Sequence, residues 1–387
     1  MKSLFFGGEK PLKQSCLLCL ESSDSLVLLQ KYCIFVQTLE QIYTYNLGTK
    51  KKTTIKDIAN VLGLTPSAVS KALNNHPRIS EKTKVSVQQV AKNLDYQPNY
   101  LASALRSGKS NLVGVIIPRA NSSFFSAVLE SIENVLNREG YNIIISQSYE
   151  SFEKECRNID TLLFTQVDGI IASLANETKD FSYYEKIKAR GIPLVLFDRG
   201  ENDLGVDYIG IDDYESSHMV VDHLVKQNCK RIAHIGGFSH TRIFKNRIRG
   251  YRDALEKHRL PLDEDLIFEC NLTKKNGRRI MEELLQHENR PDAVYVAGDY
   301  AALGALEYLK ENTIKVPEDI AIVGFGNEPF TSLVSPSITT IEQHSLEIGK
   351  LTAEAFLRRI KESDTPPVLN KIILDAELIV RDSSEKK

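Results

Sequence analysis

Polar side chains recur directly after apolar, strand-like runs in the larger part of the chain. Asp198 and Asp299, for example, each follow a run of four or five apolar residues. Carboxylate, guanidinium and amide groups beside an aromatic ring can hydrogen-bond a polyol or sugar acid and stack on its ring. Each residue alone is more often a helix cap than a ligand contact, but their recurrence at successive strand ends favours a binding cleft. The candidate ligand-binding residues are Ser122, Phe125, Asp198, Arg247, Asp299, Asn327 and Gln343.

The sequence contains none of the motifs that commonly mark a catalytic centre. It lacks a phosphate-binding loop, a nucleophile elbow and a zinc-binding His-Glu-x-x-His pair. His218 and His223 are five residues apart, which points them to different faces of a helix, and the segment 234–240 resembles an oxyanion loop without a nucleophile. Cys16 and Cys19 have the spacing of half a zinc site but lack a second pair. We therefore expect no catalytic residue, metal or cofactor, and keep a sugar-processing enzyme or a free sugar-binding protein as alternatives.

A second group of residues, within 54–74, has the pattern of a helix-turn-helix. Apolar residues at helical spacing follow a cap at Thr54, Gly63 breaks this first helix, and Thr65-Pro66 begins a second one. The exposed N-terminal side of the second helix carries short polar residues, which suits entry into the DNA major groove. An ordinary helical hairpin is the alternative. The candidate DNA-contacting residues of this segment are Thr54, Thr65, Pro66, Ser67, Ala68, Ser70, Lys71 and Asn74.

The distribution of charge separates this segment from the rest of the chain. Residues 50–109 hold 11 Lys and Arg against 3 Asp and Glu, a net charge of +8, whereas residues 110–387 hold 34 against 44, a net charge of −10. A basic module beside a larger acidic one is expected when only the first meets a polyanion. Chance clustering of charge is the alternative explanation.

From residue 110 onward, apolar runs alternate with helical segments. The runs lie at 111–118, 141–146, 168–173, 193–197, 206–211, 231–235, 292–296 and 320–323, and the helical segments at 124–139, 183–189, 214–226, 245–257 and 299–311. Continuous apolar strands separated by helices predict parallel sheets that are covered on both faces. We therefore predict an α/β fold with two parallel sheets, in which a ligand would bind beyond the C-terminal ends of the strands.

These patterns also predict a domain organisation. We expect an unassigned extension at 1–49, a helix-turn-helix domain at 50–97, a linker at 98–109, an α/β ligand-binding and dimerisation domain at 110–381, and a polar tail at 382–387. With 42% hydrophobic residues, the 387-residue chain can bury a large core. It has no run of about 18 uncharged apolar residues and no recognisable signal peptide. The 6 Cys show no pairing pattern, so we expect a reducing, cytoplasmic location without a membrane span.

Three features together resemble the LacI/GalR family of bacterial transcription regulators over about residues 53–381. They are the segment 54–74, the sequence Tyr96-Gln97-Pro98-Asn99, and Leu105. The resemblance implies that Tyr96, Asn99 and Leu105 also contact DNA, and that Leu105 is wedged into the minor groove from a hinge helix. A helix of about two turns is marginal in isolation, so we expect it to form only when DNA or a partner copy holds it. An unstructured linker is the alternative.

The same resemblance implies a further fold, a function and partners. The α/β domain is expected to have two subdomains, like a periplasmic binding protein, with the effector between them. The protein is expected to be a repressor that binds a near-palindromic double-stranded operator as a homodimer and responds to a sugar or sugar-acid effector. The positions that commonly contact the effector are matched by Phe125, Asp198, Arg247 and Gln343. Gly298 and Gly326 stand where many members carry Asn and Asp, so the identity of the effector does not follow from the resemblance.

Overall fold

The computed structural model describes residues 53–96, 109–200, 204–362 and 369–386. The chain forms two compact units, Met1–Asn99 and Tyr100–Lys387. The expected extension at 1–49 lies outside the described residues, and so do Asn99 and Leu105 of the expected linker. Within the described part of the chain, no helix is both long enough and apolar enough to cross a membrane.

Three helices form the described part of the first unit, and local chemistry sets their ends. They are α1 (Ile55–Leu62), α2 (Pro66–Leu73) and α3 (Glu81–Asn93). The Thr54 N–H donates to the Asp57 carboxylate at 2.8 Å, and Gly63 ends α1 in the left-handed region with φ 62. The Thr65 hydroxyl accepts from the Ala68 N–H at 3.2 Å and so caps α2. The predicted helix-turn-helix is confirmed.

Apolar side chains from all three helices form the core of the first unit. Ile58, Val69, Ala72 and Val87 are fully buried, and Ala59 is 2% exposed. Burial of one fully enclosed Val or Ile side chain stabilises a fold by about 1.5–3 kcal/mol relative to exposure. This core therefore fixes the angle between α1 and α2 and leaves the opposite side of α2 free.

Strands and helices alternate along the second unit. The strands are β1 (Leu112–Ile117), β2 (Asn142–Gln147), β3 (Gly169–Ala172), β4 (Leu194–Phe197), β5 (Asp207–Ile211), β6 (Ile232–Gly236), β7 (Ile267–Glu269), β8 (Ala293–Val296), β9 (Ala321–Val323), β10 (Thr340–Glu342), β11 (Lys371–Leu374) and β12 (Glu377–Ile379). The α-helices are α4 (Ser123–Arg138), α5 (Phe152–Phe164), α6 (Ser182–Ala189), α7 (Asp213–Lys226), α8 (Arg242–Lys257), α9 (Lys274–Gln286), α10 (Asp299–Glu311) and α11 (Ser345–Lys361).

The strands form two parallel sheets, each covered by helices on both faces. The first has the order β11-β5-β4-β3-β1-β2, with α4 and α11 on one face and α5 and α6 on the other; we call it, with these helices, the N-lobe. The second has the order β7-β6-β8-β9, with α7 and α8 on one face and α9 and α10 on the other; it forms the C-lobe. The predicted α/β fold with parallel sheets is confirmed.

Helices α9 and α10 approach each other closely because glycine stands at their contact. A Cβ at Gly277 would lie 1.9 Å from the Ala301 carbonyl oxygen, and one at Gly304 would lie 2.0 Å from that of Lys274. Both distances are far below van der Waals contact, so neither position accepts a side chain without separating the helices. This packing holds α9 and α10 rigidly on one face of the C-lobe sheet.

The chain passes between the lobes three times. It crosses between β5 and α7, between β10 and α11, and between β11 and β12. Strands β10 and β12 pair with each other in an antiparallel ribbon, so two of the crossings lie side by side. Strand β11 thereby returns to the N-lobe sheet as its edge strand beside β5.

Most predicted strands and helices are present within a few residues of their expected bounds, but several elements were missed. These are α5, α9, α11, β7, β10, β11 and β12. In α5, the buried residues Cys156, Ile159, Leu162 and Leu163 have helical spacing, so the pattern was present in the sequence. The missed strands are as short as β3, β4, β8 and β9, which were predicted, but they are partly exposed and lack the continuous buried apolar run that marks those four.

The segment 382–387 was expected to be a polar tail, and this expectation is corrected by the structure. Two of its serines are buried in the C-lobe. Ser383 and Ser384 have no exposed surface. The Ser383 hydroxyl donates to the Ile322 carbonyl at 2.6 Å, and its own carbonyl accepts from the Ile322 N–H at 2.8 Å. A buried hydroxyl is tolerated when it has hydrogen-bond partners. The end of the chain is therefore part of the fold beside β9.

Candidate functional site

The exposed side of α2 presents the side chains that were predicted to read DNA. Pro66, Ser67 and Lys71 are exposed, and Ala68 and Ser70 are half-buried. Short side chains at the start of a helix let its backbone approach base edges in a major groove. Lys71, farther along the helix, can reach a phosphate. The exposure of these side chains is compatible with the predicted role of α2 as a recognition helix, which stays a prediction.

The other predicted DNA-contacting residues of this unit also serve the fold. The Thr54 hydroxyl donates to the Asp57 carboxylate at 2.7 Å, and the Asn74 side-chain amide donates to the Ser70 carbonyl at 2.9 Å. Tyr96 is half-buried against the apolar core. The sequence analysis did not single out four further exposed cations in the described part of this unit, Lys56, Arg78, Lys82 and Lys92, although all belong to the basic segment.

A cavity of about 260 Å³ lies between the N-lobe and the C-lobe. Its N-lobe wall includes Ser122, Phe125, Glu150, Asn176, Asp198 and Arg199, which follow β1, β2, β3 and β4. Its C-lobe wall includes Phe244, Arg247, Asn271, Asp299, Phe325 and Glu328, which lie on α8 or follow β7, β8 and β9. The C-terminal ends of two parallel sheets thus face each other across the cavity, the usual ligand position in such folds.

Six of the seven predicted ligand-binding residues line this cavity. The seventh, Asn327, does not, which corrects the prediction. The lining residues are Ser122, Phe125, Asp198, Arg247, Asp299 and Gln343. Asn327 has φ 50, and its side chain turns away to donate to Glu342 at 2.7 Å and to accept from Arg381 at 2.8 Å. The next residue, Glu328, enters the cavity in its place. The sequence prediction therefore placed the cavity-facing side chain of this tightly turned loop one position too early.

Arg247 is held in one orientation by three neighbours. Its Nε donates to the Asp213 carboxylate at 2.8 Å, its Nη1 donates to the Ala297 carbonyl at 3.1 Å, and its guanidinium lies 3.5 Å above the Phe325 ring. The side chain is 5% exposed. Burial raises the pKa of Asp213 to about 6, although the charge and hydrogen bond of Arg247 act against it.

The two predicted carboxylates differ in how much of their hydrogen-bonding capacity is free. Asp198 has φ 56 and accepts from the Ser173 hydroxyl at 3.3 Å; burial raises its pKa against the opposing charges of Arg199 and Arg247. Asp299 accepts from the Thr340 hydroxyl at 2.7 Å with one oxygen and from the Glu328 N–H at 2.8 Å with the other. Burial raises the pKa of Asp299 to about 6. Asp198 is therefore the better placed of the two to accept from a ligand.

An ion pair that the sequence analysis missed forms part of the N-lobe wall. The Arg199 Nη1 donates to the Glu150 carboxylate at 2.5 Å, and the Asn176 N–H donates to the same oxygen at 3.0 Å. Burial alone would raise the pKa of Glu150, but the charge and hydrogen bond of Arg199, the Asn176 N–H and the charge of Arg119 together outweigh it and the pKa is lowered. Glu150 follows β2, so the rule that identified Asp198 after β4 could have found it.

The buried histidine of β6 does not line the cavity and is not placed for catalysis there. His234 of β6 is fully buried between the rings of Tyr251 and Tyr295, with centroid distances of 5.1 and 4.6 Å. Burial lowers its pKa to about 3, so it is neutral. Among the residues that the structure describes, no group of three or more His, Cys, Asp or Glu side chains is arranged to hold a metal ion. The cavity offers instead fixed donors and acceptors beside aromatic rings.

Two family models match the chain. The model for bacterial regulatory proteins of the lacI family matches residues 54–99, and the model for a periplasmic binding protein-like domain matches residues 221–384. The HTH-type transcriptional regulator DegA of Bacillus subtilis (strain 168) is 32% identical over 337 residues, which cover 86% of this chain and 98% of that protein.

Solved structures agree with these matches. The transcriptional regulator CelR–cellobiose complex is 26% identical with a TM-score of 0.65, covering 86% of this chain and all of that one (100%). The lac repressor dimer bound to operator and the anti-inducer ONPF has a TM-score of 0.77 at 22% identity, covering 86% of this chain and 99% of that one, and supports the fold. The chain therefore belongs to the LacI family of bacterial regulatory proteins and is a DNA-binding transcriptional regulator, not an enzyme.

Proposed function

We propose that the protein is a cytoplasmic repressor that binds a near-palindromic operator as a homodimer, and that a small sugar or sugar-derived effector controls its affinity for the operator. The observation that carries the effector proposal is the cavity of about 260 Å³ at the facing C-terminal ends of two parallel sheets. Small-molecule sites commonly have volumes of roughly 300–1,000 Å³, so this one suits a ligand at the small end of that range.

The side chains in the cavity support a ligand rich in hydroxyl groups. Arg247 presents a fixed donor, and Asp198 presents an acceptor with unused capacity. Asn176 is 6% exposed, and its Oδ1 has no hydrogen-bond partner in the described structure. Phe125 supplies an apolar wall, packed edge-to-face on Phe197 with centroids 6.2 Å apart. The cellobiose complex of CelR provides a sugar-bound relative with the same fold.

The position of the cavity suggests how an effector would act. A ligand that contacts both lobes favours one degree of closure, and a ligand shifts an equilibrium only through its different affinity for the two states. We propose that this closure changes the linker at 98–109, including the wedge residue Leu105, and so the spacing of the two recognition helices of a dimer. Such coupling is typically worth about 5–150-fold in affinity.

The effector proposal is tested by thermal unfolding of the full chain against a panel of sugars and sugar acids and, separately, against a set of nucleobases. A true effector should raise the melting temperature of the wild-type protein and should fail to do so for Asp198→Asn. Glu347→Ala, an exposed change on α11, is the matched control and should respond like the wild type. Stabilisation by nucleobases and by no member of the sugar panel would contradict the sugar assignment.

The operator proposal is tested by selection of binding sites from random-sequence duplexes. The selected sites should be near-palindromic, because a dimer with two-fold symmetry reads two half-sites. Their affinity should change at least fivefold when the effector is added. Selection of sites without two-fold symmetry would contradict the homodimer.

A further inference from the structure

The Glu328 backbone makes hydrogen bonds within the C-lobe, whereas its side chain makes hydrogen bonds to the N-lobe. Its N–H donates to the Asp299 carboxylate at 2.8 Å, and its carbonyl accepts from the Thr331 hydroxyl at 2.6 Å, both within the C-lobe. Its carboxylate crosses the cavity, where it accepts from the Ser122 hydroxyl at 3.1 Å and from the Ser123 N–H at 3.2 Å, both in the N-lobe. The residue is 7% exposed.

The position that this carboxylate occupies is the N-terminus of α4. The first N–H groups of a helix lack partners within the helix, and its N-terminal end carries a partial positive charge, so an anion is stabilised there. Helices α2, α3, α7 and α9 are capped by their own Thr65, Ser80, Asp212 and Thr273 side chains, whereas α5, α6, α8, α10 and α11 have, like α4, no cap from their own N-cap side chain. The Ser122 side chain makes no such cap on α4 and donates to Glu328 instead. The C-lobe therefore supplies the anion for this helix of the N-lobe.

The occupied corner restricts what can enter the cavity. Glu328 lines the cavity, and a second anion beside its carboxylate would meet like charge in a site with little solvent. The cavity still offers the buried Asn176 Oδ1, which has no partner in the described part of the protein, and the 7% exposed Gln343 side chain. A buried acceptor without a partner calls for a donor, and a neutral hydroxyl group supplies one.

We propose that Glu328 determines specificity by acting as a built-in carboxylate at the N-terminus of α4. This corner of the cavity then takes a neutral, hydroxyl-bearing part of a ligand and excludes a carboxylate or phosphate. This inference rests on the proposed function in that the cavity is the effector site, but the contact between Glu328 and α4 exists without any effector. It narrows the proposed ligand at this corner to a neutral, hydroxyl-bearing group, so that a sugar acid would have to place its carboxylate elsewhere, for example towards Arg119 or Lys274 in the cavity lining.

The test is chemical rescue of Glu328→Ala in the full chain. The change removes the atoms that acetate would replace, so acetate should bind at the start of α4 and restore the lost contact. We expect the melting temperature of the variant to fall and to be regained by about 2–4 °C as acetate is titrated, with saturation in the millimolar range. Acetamide, which has the same shape without the charge, and sodium chloride at equal ionic strength should have little effect.

Two proteins serve as controls in the same titration. The wild type should show no saturable response, because Glu328 already fills the site. Glu347→Ala removes an exposed carboxylate that pairs with Lys350 on the surface of α11. This variant should not respond to acetate either. If Glu328→Ala does not fold, Glu328→Ser is titrated in the same way. This variant also lacks the carboxylate but keeps a small polar side chain at the position.

Absence of an acetate-specific gain in the folded variant would overturn the proposal, and so would an equal gain in the wild type. An equal response to acetate and acetamide would also overturn it, because the site would then fill a void without recognising charge. The titration uses neither operator nor effector. A failed effector screen would therefore count against the proposed function and leave the acetate result standing.

Discussion

The recognition helix and the cavity are built in opposite ways. On α2, the Ser67 and Lys71 side chains are exposed and contribute little to the packing of the first unit. In the cavity, Arg247 is held by Asp213, and Arg199 is held by Glu150, with all four side chains largely buried. Recognition and stability are therefore separable on α2, whereas a change in the cavity affects both. The experiments below test this contrast.

The largest expected effect is loss of stability in Arg247→Ala. The change leaves the Asp213 carboxylate buried without its partner, which should lower the free energy of unfolding by about 3–5 kcal/mol. Urea unfolding followed by circular dichroism measures it, since the chain has no Trp. Lys245→Ala, an exposed change on the same helix, should cost less than about 0.5 kcal/mol. If Arg247→Ala lowers the free energy of unfolding by less than about 1 kcal/mol, the cavity residue contributes no more to stability than the exposed residues of α2, and the contrast is refuted.

Changes on α2 should alter DNA binding without altering stability. Replacement of Ser67 should change the preferred bases, with an effect of about 1–3 kcal/mol if it reads a base edge. If Lys71 contacts a phosphate, Lys71→Ala should lower the affinity for all operators alike. It should also reduce the slope of log affinity against log salt concentration by about one. Titrations of selected operators at several salt concentrations measure both effects, and Gln88→Ala on α3 is the exposed control. Unchanged binding by both variants would refute the assignment of α2.

The buried Asp299 should give the second unit a pH-dependent stability. Its pKa is raised to about 6 by burial, above the ordinary value of 3.8, so the folded protein binds its proton more tightly than the unfolded chain does. Its contribution is present below about pH 4 and is lost as the pH rises through 6. Asp299→Asn should therefore reduce the change in unfolding free energy between pH 4.5 and 7.5 by about 1–2 kcal/mol. An identical pH profile in the variant would show that this carboxyl is not buried in the way the structure indicates.

The smallest effect is expected from removal of the N-terminal extension. A chain that begins at Thr49 retains the capped helix-turn-helix, so its operator affinity should lie within tenfold of the full chain, or about 1.4 kcal/mol. Competition between the two proteins for one labelled operator measures the ratio. A larger loss would place part of the DNA-reading surface before residue 49.

The helix-turn-helix could be predicted residue by residue because its signals are local. Thr65-Pro66 begins α2 through a hydroxyl and a ring in adjacent positions, and Gly63 ends α1 through its own backbone freedom. Neither depends on a distant part of the chain. The exposed side of α2 then follows from which of its residues are apolar.

The location of the cavity could be predicted from the sequence, but the contacts of its side chains could not. Strand ends identified the right loops, yet whether Asn327 or Glu328 enters the cavity depends on the backbone turn at φ 50 and on the distant partners Glu342 and Arg381. The burial of Ser383 likewise depends on its contact with Ile322, 61 residues earlier in the chain. Such pairings are made by tertiary packing, so no local pattern reports them.

The return of β11 to the N-lobe has a consequence for synthesis of the protein on the ribosome. The strands β1 to β5 emerge early, but the edge of β5 remains uncovered until residues 371–374 have been made, after all of the C-lobe except β12 and the terminal residues. An exposed strand edge can pair with another chain. More than half of the second unit is therefore synthesised while the β5 edge of the N-lobe sheet still lacks β11.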